Sequence, residues 1–141
     1  MIIQGLSTMT TMELAKGGTR ILLVDDEPAI LEVLRHALLA EGFEVETATN
    51  GTEAIARAKG QIFDLVLTDM IMPEMDGIQT MLELRAVHPG IRIIAMSGGV
   101  SSAGGDFLPL ARQLGARTVL RKPFEYGVFM ESVRDALGIA A

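Results

Sequence analysis

Asp69 closes the run Leu65-Val66-Leu67-Thr68, and a carboxylate at the end of a buried strand is costly unless it is paired, solvated or bound to a cation. Behind it comes Met70-Ile71-Met72-Pro73-Glu74-Met75-Asp76-Gly77, a Pro/Asp/Gly turn that leads into a helical pattern. Four more residues with usable chemistry follow other short apolar runs. Asp25 and Asp26 come directly after 20–24, Ser97 after 91–96, and Lys122 just after 118–120. Carboxylates of this kind hold a divalent cation or act as a nucleophile. A hydroxyl and an ammonium are what an anionic group needs for hydrogen bonds and charge neutralisation.

The elements between these residues decide whether they meet. The run 20–24 reads as a buried strand. Pro28 suits a first helical turn, with Asp25, Asp26 and Glu27 as acids at a helix N-terminus. Ile30, Leu31, Val33, Leu34, Leu38 and Leu39 recur at helical spacing, and Gly42 stops that helix. The segment 43–48 alternates like a strand, Asn50-Gly51 turns the chain, and 52–59 is an Ala-rich helix ending at Gly60. A third strand is predicted over 63–68, a helix over 77–87 and a fourth strand over 91–96. A Ser/Gly-rich loop at 100–105 follows, then a weak helix over 106–114 with Pro109 near its start. A fifth strand at 118–120 and a last amphipathic helix at 126–137 complete the series.

Five strand–helix alternations imply a parallel sheet with helices on both faces. Right-handed crossovers leave few topologies, and ligands of such sheets sit at the carboxyl ends of the strands. Asp25, Asp26, Asp69, Ser97 and Lys122 would then share one edge. Three carboxylates that close repel and raise one another's pKa unless a cation sits among them. An all-oxygen, acidic ligand set suits Mg²⁺. A neighbouring hydroxyl and ammonium suit a phosphoryl group.

This set, with the D-x-x-M-P-x-M-D-G run at 69–77 and Lys122-Pro123-Phe124, resembles the response-regulator receiver domain of two-component signalling. The resemblance runs from about Arg20 to Leu137. It implies an α/β, flavodoxin-like, doubly wound (βα)5 fold whose five-stranded parallel sheet has the order 2-1-3-4-5. It implies that Asp69 is the phosphoacceptor, supplied by a phosphohistidine on a histidine kinase or a histidine phosphotransfer protein. Asp25 and Asp26 would hold Mg²⁺, with Asp26 and Asp69 as direct ligands and the backbone carbonyl of Ile71 as another. Ser97 would bond a phosphoryl oxygen, and Lys122 would pair with the carboxylate or the phosphoryl group. A cis peptide before Pro123 is also implied. Val119 stands where the family commonly carries a Tyr or Phe whose ring turns inward. With no ring to swing, read-out is expected from the segment 98–105 and the short helix after it.

Composition narrows the classes further. The chain has 141 residues, no cysteine and a net charge of −6. One domain is expected over 20–138, preceded by a mobile tail over 1–19. Without cysteine there is no disulfide framework or thiolate site, and two histidines alone, His36 and His88, make no zinc site. Acidic charge argues against nucleic acid as a partner. No apolar run is long enough to span a membrane, and cytoplasm is the expected compartment. Only Gly138 to Ala141 follow the last helix, so a stand-alone receiver is expected, signalling by docking on a downstream protein.

Each residue has a plainer reading on its own. Asp25 and Asp26 suit a helix start, Asp76-Gly77 a turn, Ser97 a loop and Lys122 a solvated surface. His36 and His88 read as helix-surface residues, Tyr126 as a packed helix-start residue and the methionines as core filler. A phosphorylation-independent adaptor of the same fold is the alternative function. No activity is expected beyond the chain's own phosphorylation and dephosphorylation. An aspartyl phosphohydrolase would place a second acid two residues after Asp69, where Ile71 stands.

Overall fold

The structure, a computed structural model, describes residues 18–72, 75–98 and 107–139. The tail at 1–17, the turn residues 73–74 and most of the Ser/Gly-rich segment expected to carry read-out lie outside them. In chain order the elements are β1 (Arg20–Val24), α1 (Pro28–Ala40), β2 (Glu44–Ala48), α2 (Gly51–Gly60), β3 (Leu65–Asp69), α3 (Gly77–Val87), β4 (Ile93–Ser97), α4 (Phe107–Gln113), β5 (Thr118–Arg121) and α5 (Tyr126–Leu137). The strands form one parallel sheet in the order β2-β1-β3-β4-β5.

Side chains that alternate along a strand feed two cores, one on each face. Ile21 and Leu23 of β1, with Leu65 and Leu67 of β3, pack against Leu31, Leu34 and Leu38 of α1 and Phe129, Met130 and Val133 of α5. Leu22 and Val24 face the other way, onto Ala54, Ile55 and Ala58 of α2, Met81 and Leu84 of α3, and Leu108 and Ala111 of α4. Burial on both faces is why β1 reads as a continuous apolar run. Each of its fully buried side chains contributes about 1.5–3 kcal/mol. Met70, Met72, Met81, Met96 and Met130 are buried, in keeping with their reading as core filler.

Strand ends differ from the apolar runs because pairing, not hydrophobicity, sets them. Phe63 is buried but stands outside β3, whose register with β1 begins at Ile21↔Leu65. At the other end Asp69 pairs with Met96, and Met70 N–H donates to Met96 O at 2.8 Å, so the acid lies inside the strand. β4 is likewise shifted to end on Ser97.

The start of α3 lies closer to the end of β3 than the sequence suggests. Asp76 caps α3, its Oδ1 accepting from Gln79 N–H at 2.8 Å. Gly77 N–H donates to Met70 O at 3.0 Å, and a Cβ on Gly77 would lie 2.5 Å from both Asp69 O and Met70 Cα. Gly77 is therefore required by a close backbone approach under the acid. Gly77→Ala should cost about 3 kcal/mol in urea denaturation, since backbone must yield and not a side-chain tip. A loss below roughly 0.5 kcal/mol, the range of neutral surface changes, would contradict this packing.

Two expectations are corrected here. Tyr126 begins α5 but is 56% exposed, its hydroxyl donating to Glu41 Oε2 at 3.2 Å. The helix turns Phe129 and Met130 to the core, which leaves Tyr126 on the rim. His88 is half-buried at the C-terminal cap of α3, its Nε2 lying 3.2 Å from Ala58 O. It bridges α3 to α2, whereas His36 is exposed beside Glu32 as expected.

Candidate functional site

Parallel strands bring their carboxyl ends to one edge, and the chain leaves each strand there. Asp25 follows β1 and is fully buried. Its N–H donates to Ala48 O at 3.1 Å, and its Oδ1 accepts from Glu27 N–H at 3.0 Å. Asp26, the next residue, is exposed. Asp69 is 5% exposed, with Oδ1 accepting from its neighbour Met70 N–H at 3.0 Å. One carboxylate oxygen from each of Asp25, Asp26 and Asp69 lies within 4.8 Å of the other two.

Lys122 leaves β5 directly into this group. Its Nζ donates to Asp25 Oδ2 at 2.6 Å and lies 3.6 Å from Asp69 Oδ1. The primary partner is thus Asp25, with Asp69 second. Lys122 N–H donates to Ser97 O at 2.8 Å, which ties the lysine to the end of β4. The Lys122-Pro123 peptide is cis, as the resemblance implies. Ser97 is fully buried at the end of β4, one residue past the Asp69↔Met96 pair. Ile71 sits two residues beyond Asp69 with 37% exposure, and its side chain adds no polar group to the cluster.

Electrostatics set Asp69 apart. Burial, opposed by Lys122 and reinforced by the charges of Asp25 and Asp26, raises its pKa from 3.8 to about 6. Burial also opposes the charge on Lys122, but the bond to Asp25 and the pull of Asp69, Asp25 and Glu27 outweigh it, and its pKa lies above the ordinary value. Two of the three carboxylates, Asp25 and Asp69, pair with the one ammonium of Lys122. Such a cluster lacks positive charge, and its all-oxygen donors, open at Asp26, fit a hard divalent cation.

Beside the acids runs an apolar groove of about 510 Å³ between α1 and the β5–α5 connection. Ile30, Val33 and Ala37 form one wall and Phe124 and Tyr126 the other, with Gly98 and Lys122 at the end nearest the site. Val33 is 67% exposed on this wall. Phe124 is held by stacking on Phe129, ring centroids 5.6 Å apart.

A family model described as "Response regulator receiver domain" matches residues 21–134, and the chain belongs to that family. It is therefore a receiver domain of the two-component response-regulator type. Transcriptional regulatory protein GlrR of Escherichia coli (strain K12) is 35% identical over 119 residues, 83% of this chain and 26% of GlrR. Sensor kinase CckA of Brucella abortus is 37% identical over 123 residues, 86% of this chain and 13% of CckA. The chain thus spans about a quarter or less of these curated relatives. A CheY-like receiver domain from Methanospirillum hungatei superposes with a TM-score of 0.78 at 30% identity, covering 85% of this chain and 94% of that one. The regulator TrrA of Thermotoga maritima, solved in complex with Mg²⁺-BeF, gives 0.73 at 32%, covering 84% and 98%. Among the described residues no helix is long and apolar enough to cross a membrane.

Proposed function

We propose that Asp69 is the phosphoacceptor of a two-component relay and that Asp25, Asp26 and the backbone carbonyl of Ile71 complete a Mg²⁺ site with it. The observation that carries this reading is the gathering of three carboxylates within 4.8 Å, with Lys122 at 3.6 Å from Asp69. The donor is a phosphohistidine on a histidine kinase or histidine phosphotransfer protein. An Asp69 carboxylate oxygen bonds to phosphorus as the N–P bond breaks, and the imidazole leaves with the bonding pair and takes up a proton. Mg²⁺, when bound, neutralises charge as donor and acceptor approach. Lys122 supplies a fixed positive charge beside the developing acyl phosphate, and Ser97 supplies a hydroxyl to a phosphoryl oxygen. TrrA, a similar receiver, was solved with Mg²⁺-BeF, which supports the same ligand class here.

A donor domain has to cover the mouth of the site, and the neighbouring groove offers it apolar contact at Ile30, Val33 and Phe124. The acyl phosphate adds roughly −2 of charge at one strand end. With Val119 lacking a ring, read-out runs through the chain leaving Ser97 toward α4 and on to a downstream protein. The domain's chemistry is confined to its own phosphorylation and dephosphorylation.

Phosphotransfer from a panel of autophosphorylated histidine kinases tests the reading. One kinase should lose label as the wild-type chain gains it, with Mg²⁺ required. Gain of equal label by the Asp69→Asn variant would overturn it, and transfer from none of the panel would favour an adaptor that works without phosphate.

A further inference from the structure

α3 leaves the strand that carries Asp69, and α4 leaves the strand that carries Ser97. The two helices share a core through Met81, Leu84, Leu108 and Ala111. α4 has only seven residues, too few to hold a helix without outside support. Its C-terminal end has one. Arg85, in the last turn of α3, donates from Nη2 to Gly115 O at 2.6 Å, just past the end of α4. A guanidinium there also suits the negative end of α4.

The fit is closer than a single bond. Gly115 has φ +105°, and a Cβ built on it would lie 2.8 Å from Arg85 Nη2, 3.1 Å from Cζ and 3.5 Å from Nε. The guanidinium therefore lies in the space a side chain at position 115 would fill. Among the described residues the buried Arg85 Nε has no hydrogen-bond partner, a cost accepted to seat the group there.

We propose that Arg85 and Gly115 form a joint that pins the C-terminal end of α4 to α3, and that this joint sets how freely α4 responds to the state of the Asp69 site. The responsive part rests on the phosphoacceptor reading, whereas the pin does not. With the joint intact, phosphorylation changes the amino-terminal half of α4 and leaves Leu114 to Ala116 in place. Without it, the whole helix responds.

Amide hydrogen exchange tests both parts, in wild type, Arg85→Gln, Gly115→Ala and the double variant, with and without a small phosphodonor and Mg²⁺. In unphosphorylated Arg85→Gln, exchange at 107–116 should rise about tenfold or more, the scale of a hydrogen bond to a charged group, while α1 and α5 keep their rates. Because Gly115→Ala ejects the same guanidinium, the double variant should exchange little faster than the faster single one. Unchanged exchange at 107–116, an equal rise in α1 and α5, or effects of the two substitutions that simply multiply would each overturn the pin. With phosphodonor, protection changes should reach 114–116 only in the variants that lack the joint, Arg85→Gln, Gly115→Ala and the double variant, and the same pattern in wild type would overturn the coupling. Failure of the wild type to take up phosphate would sink the phosphoacceptor reading and the coupling, failure of the variants alone would overturn the coupling as stated, and either result leaves the pin decided by the unphosphorylated samples.

Discussion

Asp69→Asn should reduce phosphoryl uptake to background and at the same time stabilise the metal-free protein at pH 7. An amide is not a nucleophile at phosphorus, so the first effect is complete. The second follows from the acid's environment, where burial first and the two other acids after it raise the pKa to about 6. Unfolded, the same group titrates near 3.9. Between about pH 4 and 6 the folded state holds the extra proton, so this group's share of stability falls as pH rises through that window. A two-unit shift is worth roughly 3 kcal/mol. That shift already contains the opposing pull of Lys122, so a gain of up to about 3 kcal/mol is expected at pH 7 in EDTA. The gain should vanish below about pH 4, where the wild-type acid is neutral in both states. Urea denaturation at the two pH values checks this. A variant less stable than wild type at pH 7 would show that Asp69 is well paired as it stands.

Removing the ammonium should act in the opposite sense. In Lys122→Met the alkyl stem is largely kept, while fully buried Asp25 loses the partner 2.6 Å away. The lysine side chain is only 14% exposed, so water replaces little of the lost charge. Breaking a buried pair from one side costs about 3–5 kcal/mol, and the lower end is expected here because the cluster can take up a proton instead. Lowering the pH from 7 to 5 should therefore narrow the gap to wild type in EDTA. Millimolar Mg²⁺ should narrow it too, since a divalent ion among Asp25, Asp26 and Asp69 restores positive charge and binds only the folded state. A loss under 1 kcal/mol, or a deficit that Mg²⁺ leaves untouched, would contradict the shared-charge account of the site.

Much of the site is legible in the sequence. In a parallel sheet the strand ends carry the chemistry, and Asp25, Asp69 and Ser97 mark those ends because each directly follows a largely apolar run, while Lys122 comes after Val119-Leu120 with one residue between. Alternation of strand and helix then placed them on one edge. What stayed hidden depends on distance across the fold. Adjacent acids are indistinguishable in sequence, yet Asp25 is fully buried against Lys122 while Asp26 faces solvent. Asp76-Gly77 reads as a turn, and only the backbone of Asp69 and Met70 beneath it makes the glycine obligatory. Position 63 is as apolar as a strand residue, but β1 offers it no partner. Arg85 and Gly115 are 30 residues apart, and neither signals the other by local pattern.

Two buried acids, one exposed acid and one lysine are to form a single phosphate-accepting centre. Mass spectrometry of the chain after exposure to a small phosphodonor addresses that directly, since no partner protein is needed. With Mg²⁺ present, a single hydroxylamine-sensitive phosphoryl adduct should map to Asp69, and EDTA should abolish it. An adduct on another residue, or one that forms equally well in EDTA, would contradict the account.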